Sequence, residues 1–259
     1  MQHLHFEELK ALLDQKADFY NQAAFIQNDP IQIPHLFTAK EDIEIAGLLV
    51  ATIAWGQRKT ILSNGLRMMQ LMDNKPYEFV MHASAKALQG LTGFVHRTFN
   101  ADDFLGMVHC LRHTYSHFGG LEELFLKHLQ RNNQNMGLAL AGFRHDFLQG
   151  PHLERTEKHV ANVLTNSSAK RLNMYLRWMV RKDTKGVDFG LWQIPQNLLL
   201  CPLDVHSGRT ARRLGILQRT NDDFKAVMEL TDKLKQFDPD DPIKYDFALF
   251  GMGVNEGGV

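Results

Sequence analysis

Only two of the 259 residues are cysteine, Cys110 and Cys201. That is too few for a disulfide framework or a four-cysteine cluster site, and a reducing cytoplasm is the expected location. Long hydrophobic runs are missing as well. No apolar stretch approaches the roughly 18–20 residues that a membrane span needs, so no membrane partner is expected. The N-terminus, MQHLHFEELKALLDQK, is polar and acidic, and no signal peptide is expected there. No convincing run alternates apolar and polar residues, which argues against a substantial sheet. There is no repeat at a fixed period and no low-complexity linker. Net charge is lacking too: 29 Lys and Arg balance 29 Asp and Glu. Chain length suits one large domain or two small lobes with a sizeable core.

Helical periodicity fills most of the chain. Residues 5–20 place Leu9, Leu12, Leu13 and Phe19 near one face. KEDIEIAGLLVATIAW opens a strongly apolar helix with Glu41, Asp42 and Glu44 in its first turn, where acids suit the dipole. Further helices are expected over 60–72, over 101–118 with a cap near Asp102 or Asp103, and across LEELFLKHLQ. Others follow at 167–182, 204–215, 221–237 and 241–253. Residues 183–203, with Gly186, Gly190, Pro195 and Pro202, form the longest irregular stretch. Long ordered loops in helical proteins tend to be functional.

The zero net charge hides an uneven distribution. Residues 1–50 hold eight acids against three bases, and residues 220–259 hold nine against four. Residues 169–219 reverse this, with ten Lys and Arg against Asp183, Asp188 and Asp204. Such a segment is a polyanion footprint, because each phosphate contact releases counterions. The plainer reading is a solvated face salt-bridged to the acidic ends.

Two residues carry candidate chemistry. Asp204 precedes a helical run, with Pro202 upstream and Gly215 downstream as boundaries, so it reads as an N-cap. A cap carboxylate is kept anionic by N–H donors and the dipole, which suits it to stabilising a cationic transition state. His206 beside it reads as a structural residue packed next to the turn. Lys170 falls in the first turn of a helix expected to be capped by Ser167 or Ser168. That is the wrong dipole end for a cation, and it favours a neutral nucleophile. His109, His113 and His117 form an i, i+4, i+8 ladder around Cys110, yet without an acid or second-strand ligand no metal is expected. FDPDDP at 237–242 lacks calcium-loop spacing and reads as a turn and the N-cap of the last helix.

PLDVHSGRTARRLGI resembles the V-D-x-H-x-x-R-x-x-x-R-L-G segment of the helix-hairpin-helix DNA glycosylase superfamily, which includes endonuclease III and the 8-oxoguanine glycosylases. SSAKRLNMYLRW is similar to that family's hairpin-then-helix segment. The resemblance implies Asp204 as the catalytic carboxylate and Lys170 as the nucleophile of a bifunctional member. Their 34-residue separation is closest in layout to the archaeal 8-oxoguanine glycosylase branch. LLVATIAWGQRKTILSNGLRMM resembles the early helix–loop–helix whose loop enters the duplex, with Gln57 as the nearest match and Arg58 beside it. YDFALFGMGV is similar to the helix that closes the second lobe. Asn166, Ser167 and Ser168 stand where the family has a glycine-rich hairpin, so the hairpin is degenerate and Ser hydroxyls would approach phosphate instead.

The chain as a whole also resembles a bacterial family of unassigned function that shares CPLDVHSG and KRLNMYLRWMVRKD. The implied fold is all-α: an N-terminal helix and lead-in over 1–41, then a two-lobed glycosylase-like domain over 42–253. The implied partner is double-stranded DNA with a damaged base, gripped by Ser167, Ser168, Arg171, Arg209, Arg212 and Arg213. Trp55, Trp178, Phe189 and Trp192 are candidates for a base pocket, although aromatics mainly supply core. No cofactor and no obligate protein partner are expected. A DNA-bound protein of a bacterial cell would lie with the nucleoid. The competing expectation is a non-catalytic nucleic-acid-binding protein on the same fold.

Overall fold

The computed structural model describes residues 5–256, and they are mostly helical. The first helices in chain order are α1 (Phe6–Tyr20), α2 (Ala23–Ile26), α3 (Lys40–Thr52), α4 (Arg58–Leu71), α5 (Pro76–His82) and α6 (Ala85–Gln89). A short hairpin follows, β1 (Val95–His96) against β2 (Phe99–Asn100), antiparallel with His96 opposite Phe99. Then come α7 (Ala101–Phe118), α8 (Leu121–Arg131), α9 (Met136–Phe147), α10 (Lys170–Val180), α11 (Val205–Arg213), α12 (Phe224–Phe237) and α13 (Tyr245–Asn255). The protein is all-α. No helix among the described residues is long and apolar enough to cross a membrane.

The chain forms two compact units. One comprises the residues up to Phe25 together with Val163 onward; the other is Ile26–Asn162. In the first, α13 is the central helix and packs on α1 and α11. Two glycines allow those contacts. A Cβ on Gly251 would lie 2.3 Å from the Tyr20 ring of α1, and one on Gly253 would lie 2.8 Å from the His206 carbonyl of α11. The core around them includes Tyr175, Trp178, Tyr245 and Phe247, all at most 1% exposed. In the second unit α7 packs on α5, α8 and α9, and its core is rich in phenylalanine, from Phe94 and Phe99 to Phe143 and Phe147.

Several helix ends differ from expectation. Asn100, not Asp102 or Asp103, caps α7: its side chain accepts from the Asp103 N–H, and the Asp103 carboxylate accepts from the Asn100 N–H in return. Ala169, not a serine, caps α10. Asp241 precedes a 3-10 turn at Pro242–Lys244 that leads into α13, with no cap bond from its side chain. The irregular 181–204 stretch holds no α-helix, yet much of it is buried, including Val187, Trp192, Leu200 and Leu203. It folds back on the end of α10, where the N–H groups of Phe189, Leu191 and Trp192 donate to the carbonyls of Trp178 and Met179. Those carbonyls have no partner within the helix, and the loop supplies one.

Candidate active site

Lys170 opens α10 and Asp204 caps α11, both within the unit built on α13. The approach to α10 contains two left-handed backbones, Asn166 at φ 66° and Ala169 at φ 49°. Asn tolerates this region, whereas Ala meets a steric cost of about 1–2 kcal/mol there. Asp223 anchors the turn. Its carboxylate accepts from Asn166 Nδ2 at 2.9 Å, and Ser167 forms an antiparallel bridge with it. The Phe224 N–H donates to the Asn166 carbonyl. Because the chain reverses at Ala169, the serines end up before the turn. Ser167 Oγ accepts from the Ala169 N–H at 3.3 Å, and the Ser168 carbonyl accepts from Asn173 Nδ2 at 3.1 Å. Lys170 is therefore the first residue of the helix, its Nζ 3.5 Å from Met174 Sδ one turn on.

The two oxygens of Asp204 do different things. Oδ1 accepts from the N–H groups of His206 at 2.9 Å and Ser207 at 3.0 Å, and Ser207 Oγ lies 3.2 Å from it. Ser207 Oγ in turn accepts from the Asp204 N–H at 2.9 Å, closing a capping box. Oδ2 is left to face Lys170 Nζ at 3.7 Å. The cap thus fixes the carboxylate's orientation and aims one oxygen at the amine. Both side chains remain reachable, at 26% and 21% exposure. His206 is exposed, and its ring stands edge-on to Phe250 at 6.2 Å. It is the second residue of α11, and it meets α13 both through its backbone at Gly253 and through its ring at Phe250.

Behind the pair runs a chain of buried charge that the sequence reading missed. Arg177, two turns along α10, donates from Nη1 to Asp246 at 2.5 Å and from Nε to Asp188 at 3.1 Å. Arg181 continues the chain, bonding Asp188 at 3.2 Å, Asp183 at 2.7 Å and Asp241 at 2.8 Å. Burial pushes the Asp246 carboxyl up to about 6. The Asp204 charge adds to the rise, while Arg177 and Lys170 oppose it. Burial likewise pushes the Cys201 thiol well above its usual value, with Asp246 and Asp204 contributing, so this cysteine is no nucleophile. Burial also raises Asp188 against the pull of Arg177 and Arg181. Arg181 would be lowered by burial, but Asp188 and Asp241 outweigh that and hold it above its usual value. The signal available in the sequence was a charge inside an apolar run: Arg177 in MYLRWMV and Asp246 in YDFALF.

The basic segment is largely spent on such pairs. Beyond Arg177 and Arg181, Lys185 bonds Asp18 at 2.5 Å, Arg212 bonds Asp222 at 2.6 Å, and Arg219 bonds Asp223. The partners come from α1 and from the acidic region after residue 220. Of the expected phosphate contacts, Arg212 is thus engaged internally. Arg209 is exposed and makes no ion pair among the described residues. Arg213 is exposed, and Arg171 is half-buried, with burial pushing its guanidinium down to about 10, still charged at neutral pH.

Among the aromatic candidates, Trp178 is wholly buried, and Trp192 lies edge-on to Tyr175 at 3% exposure; both are core. Phe189 is half-buried in the loop after α10. Trp55, Gln57 and Arg58 belong to the other unit, at the turn between α3 and α4. Trp55 is half-buried there, while Gln57 and Arg58 are exposed. His113 and His117 stack at 4.2 Å, and no group of three or more His, Cys, Asp or Glu among the described residues is placed to hold a metal ion.

A family model described as a protein of unknown function (DUF2400) matches residues 29–255, and the chain belongs to that family. No curated protein and no solved structure matches it.

Proposed function

We propose that this member of a family without an assigned activity is a DNA N-glycosylase with associated lyase chemistry, in which Lys170 is the nucleophile and Asp204 the carboxylate. The observation that carries the reading is the 3.7 Å approach of Lys170 Nζ to Asp204 Oδ2, with Oδ1 tied down by the cap. A nucleophile beside an oriented base is the arrangement that activates an amine. Asp204 Oδ2 takes a proton from the Lys170 ammonium, and the neutral amine attacks C1′ of a flipped nucleotide. The bond from C1′ to the base breaks with its electron pair on the base, which receives the proton from Asp204. One proton of the new ammonium then moves to O4′ as the sugar ring opens, leaving a protonated Schiff base. The regenerated Asp204 anion then faces the positive charge of the ammonium and of the Schiff base that follows it. The degenerate hairpin fits this reading. Asn166 and Ala169 supply the positive φ angles that glycines would otherwise supply.

The partner in this reading is double-stranded DNA with a damaged or modified base, in a fold of glycosylase type. The test is a panel of duplexes with single lesions, scored for base release and for covalent trapping by borohydride. Release and trapping that vanish in Lys170→Ala support the proposal; a broad panel with neither overturns it. A second reading, a nucleic-acid-binding protein without chemistry, draws on the same 3.7 Å pair as an ordinary salt bridge that helps seat α10 against α11. Binding to the duplexes without release or adduct is its signature.

A further inference from the structure

The unit formed by Ile26–Asn162 carries a concentration of cations around the β1–β2 hairpin, apart from the pair above. The hairpin's inner side is anchored. His96 and Phe99 are at most 1% exposed, and Phe99 packs edge-on to His159 at 4.9 Å. Its outer side presents Val95, Arg97 and Thr98 to solvent.

The hairpin is also bolted to the turn that precedes α4. Asn64 Nδ2 lies 2.9 Å from His96 Nδ1, and His96 Nε2 lies 3.1 Å from the Trp55 carbonyl. The amide can only donate to Nδ1, so the ring carries its proton on Nε2 and donates it to Trp55. Burial lowers the His96 pKa, the Arg97 charge adds to this, and a neutral ring is what the two bonds require. The Trp55 indole stands edge-on to His96 at 5.1 Å and stacks near His159 at 5.9 Å. Arg97 then lies flat against Gly56. A Cβ on that glycine would come within 3.1 Å of Arg97 Nη1 and 3.2 Å of its Cδ. Gly56 has φ 103°, so the site needs glycine on both counts.

Charge at this surface is one-sided. Neither 53–60 nor 90–99 contains an Asp or Glu, while Arg58, Lys59 and Arg97 lie in them. Arg67 reaches the same loop, its Nη2 3.3 Å from the Gly93 carbonyl, and Arg155 donates to the Thr98 carbonyl at 3.1 Å. Two acids start α7. Asp103 is buried and occupied by Arg155 at 3.2 Å and His159 at 3.3 Å; Asp102 is exposed. Arg97 and Lys59 are exposed and form no ion pair among the described residues. Arg97 is held, moreover, at φ 54°, an uncommon angle for a non-glycine residue. Two exposed cations without an ion pair, Arg97 held against Gly56 and Lys59 in the first turn of α4, beside a half-buried indole match an anionic strand with stackable bases.

We propose that the β1–β2 hairpin and the 55–59 segment, where the turn enters α4, bind the phosphodiester backbone of a nucleic acid, with Arg97 and Lys59 as direct phosphate contacts. The inference rests on the proposed function only in taking DNA as the partner. The test is fluorescence anisotropy with a lesion-free duplex over a salt series, comparing wild type with Arg97→Gly, Lys59→Ala and the double variant. Glycine accepts the positive φ, and both positions are exposed, so the fold is retained; thermal melts verify it. Each lost contact is expected to weaken binding about 8-fold near 0.1 M salt and to reduce the log–log salt slope by about 0.9. Arg131→Ala, at the exposed end of α8, is expected to change neither. Unchanged affinity and slope in the double variant, from a protein that still forms the Lys170 adduct, overturn the hairpin surface alone. A wild type with no affinity for nucleic acid at any salt concentration overturns this surface and the glycosylase reading together.

Discussion

Replacing Asp204 separates the two jobs of its carboxylate, because each oxygen does one. In Asp204→Asn, the remaining Oδ1 still accepts from the N–H groups of His206 and Ser207, and Asn caps a helix about as well as Asp. What is lost is the charge facing Lys170 at 3.7 Å. A pair about a quarter exposed is worth roughly 0.5–1 kcal/mol, and the anion at the helix N-terminus adds about 0.3–1 kcal/mol. The expected destabilisation is about 1 kcal/mol. Asp204→Ala loses the cap too, a further ~1 kcal/mol, so about 2 kcal/mol in all. Chemistry does not follow stability. Both variants lose the proton acceptor and the oriented anion, and both are expected to slow single-turnover base release at least ~100-fold. Urea unfolding and a base-release time course on the best lesion of the panel read the two effects separately. An Asn variant with wild-type base release would reduce Asp204 to a cap. One as unstable as the Ala variant would refute the division of labour between Oδ1 and Oδ2.

Other consequences of the fold are equally open to measurement. Gly253→Ala drives a methyl to 2.8 Å from the His206 carbonyl, displacing the first turn of α11; it is expected to cost about 1–3 kcal/mol and to lower base release. Gly251→Ala collides with the Tyr20 ring instead, with a similar stability loss and no specific loss of rate per folded molecule. At Ala169, glycine relieves the φ 49° strain but gives up a buried methyl and chain stiffness, so stability stays within about 1 kcal/mol of wild type. Ala169→Val puts a β-branched residue at that angle and is expected to cost about 2 kcal/mol or more in urea unfolding. Asp246 titrates near 6 when folded and near 3.8 otherwise. The folded state therefore holds its proton more tightly, and the stability from that proton is lost as pH rises through 6, about 1 kcal/mol between pH 5 and 7. Asp246→Asn removes this slope. Relative to wild type it gains about that amount over the same interval, and parallel curves for the two proteins would contradict the placement of this carboxyl.

Local signals made much of this architecture legible. The 3–4 spacing of apolar residues located α1, α3, α4, α7, α8 and the helices from α10 onward, and the Pro202–Asp204–Gly215 punctuation marked α11 with its cap. Helices with weaker markers went unseen. In α9, apolar residues face nearly every direction and two glycines interrupt them, and α5 is a short helix that starts at Pro76. The Ala169 cap was hidden because propensity favours serine at such positions, and only the turn anchored on Asp223 shows why the chain reverses one residue later. The pairing of Arg177 and Arg181 with Asp188, Asp246 and Asp241 was equally out of reach, since it joins residues up to 69 apart in sequence. It is also why a segment that reads as strongly basic offers fewer cations to solvent than its composition suggests.

The central claim is that Lys170 is a nucleophile aimed by Asp204, and one measurement tests it most directly. Wild type and Lys170→Ala are incubated with the lesion panel under borohydride, digested, and analysed by mass spectrometry for the site of attachment. The account predicts a secondary-amine adduct between the sugar C1′ and Lys170 Nζ in wild type and none in the variant. An adduct on another residue, or trapping that survives in Lys170→Ala, would contradict it.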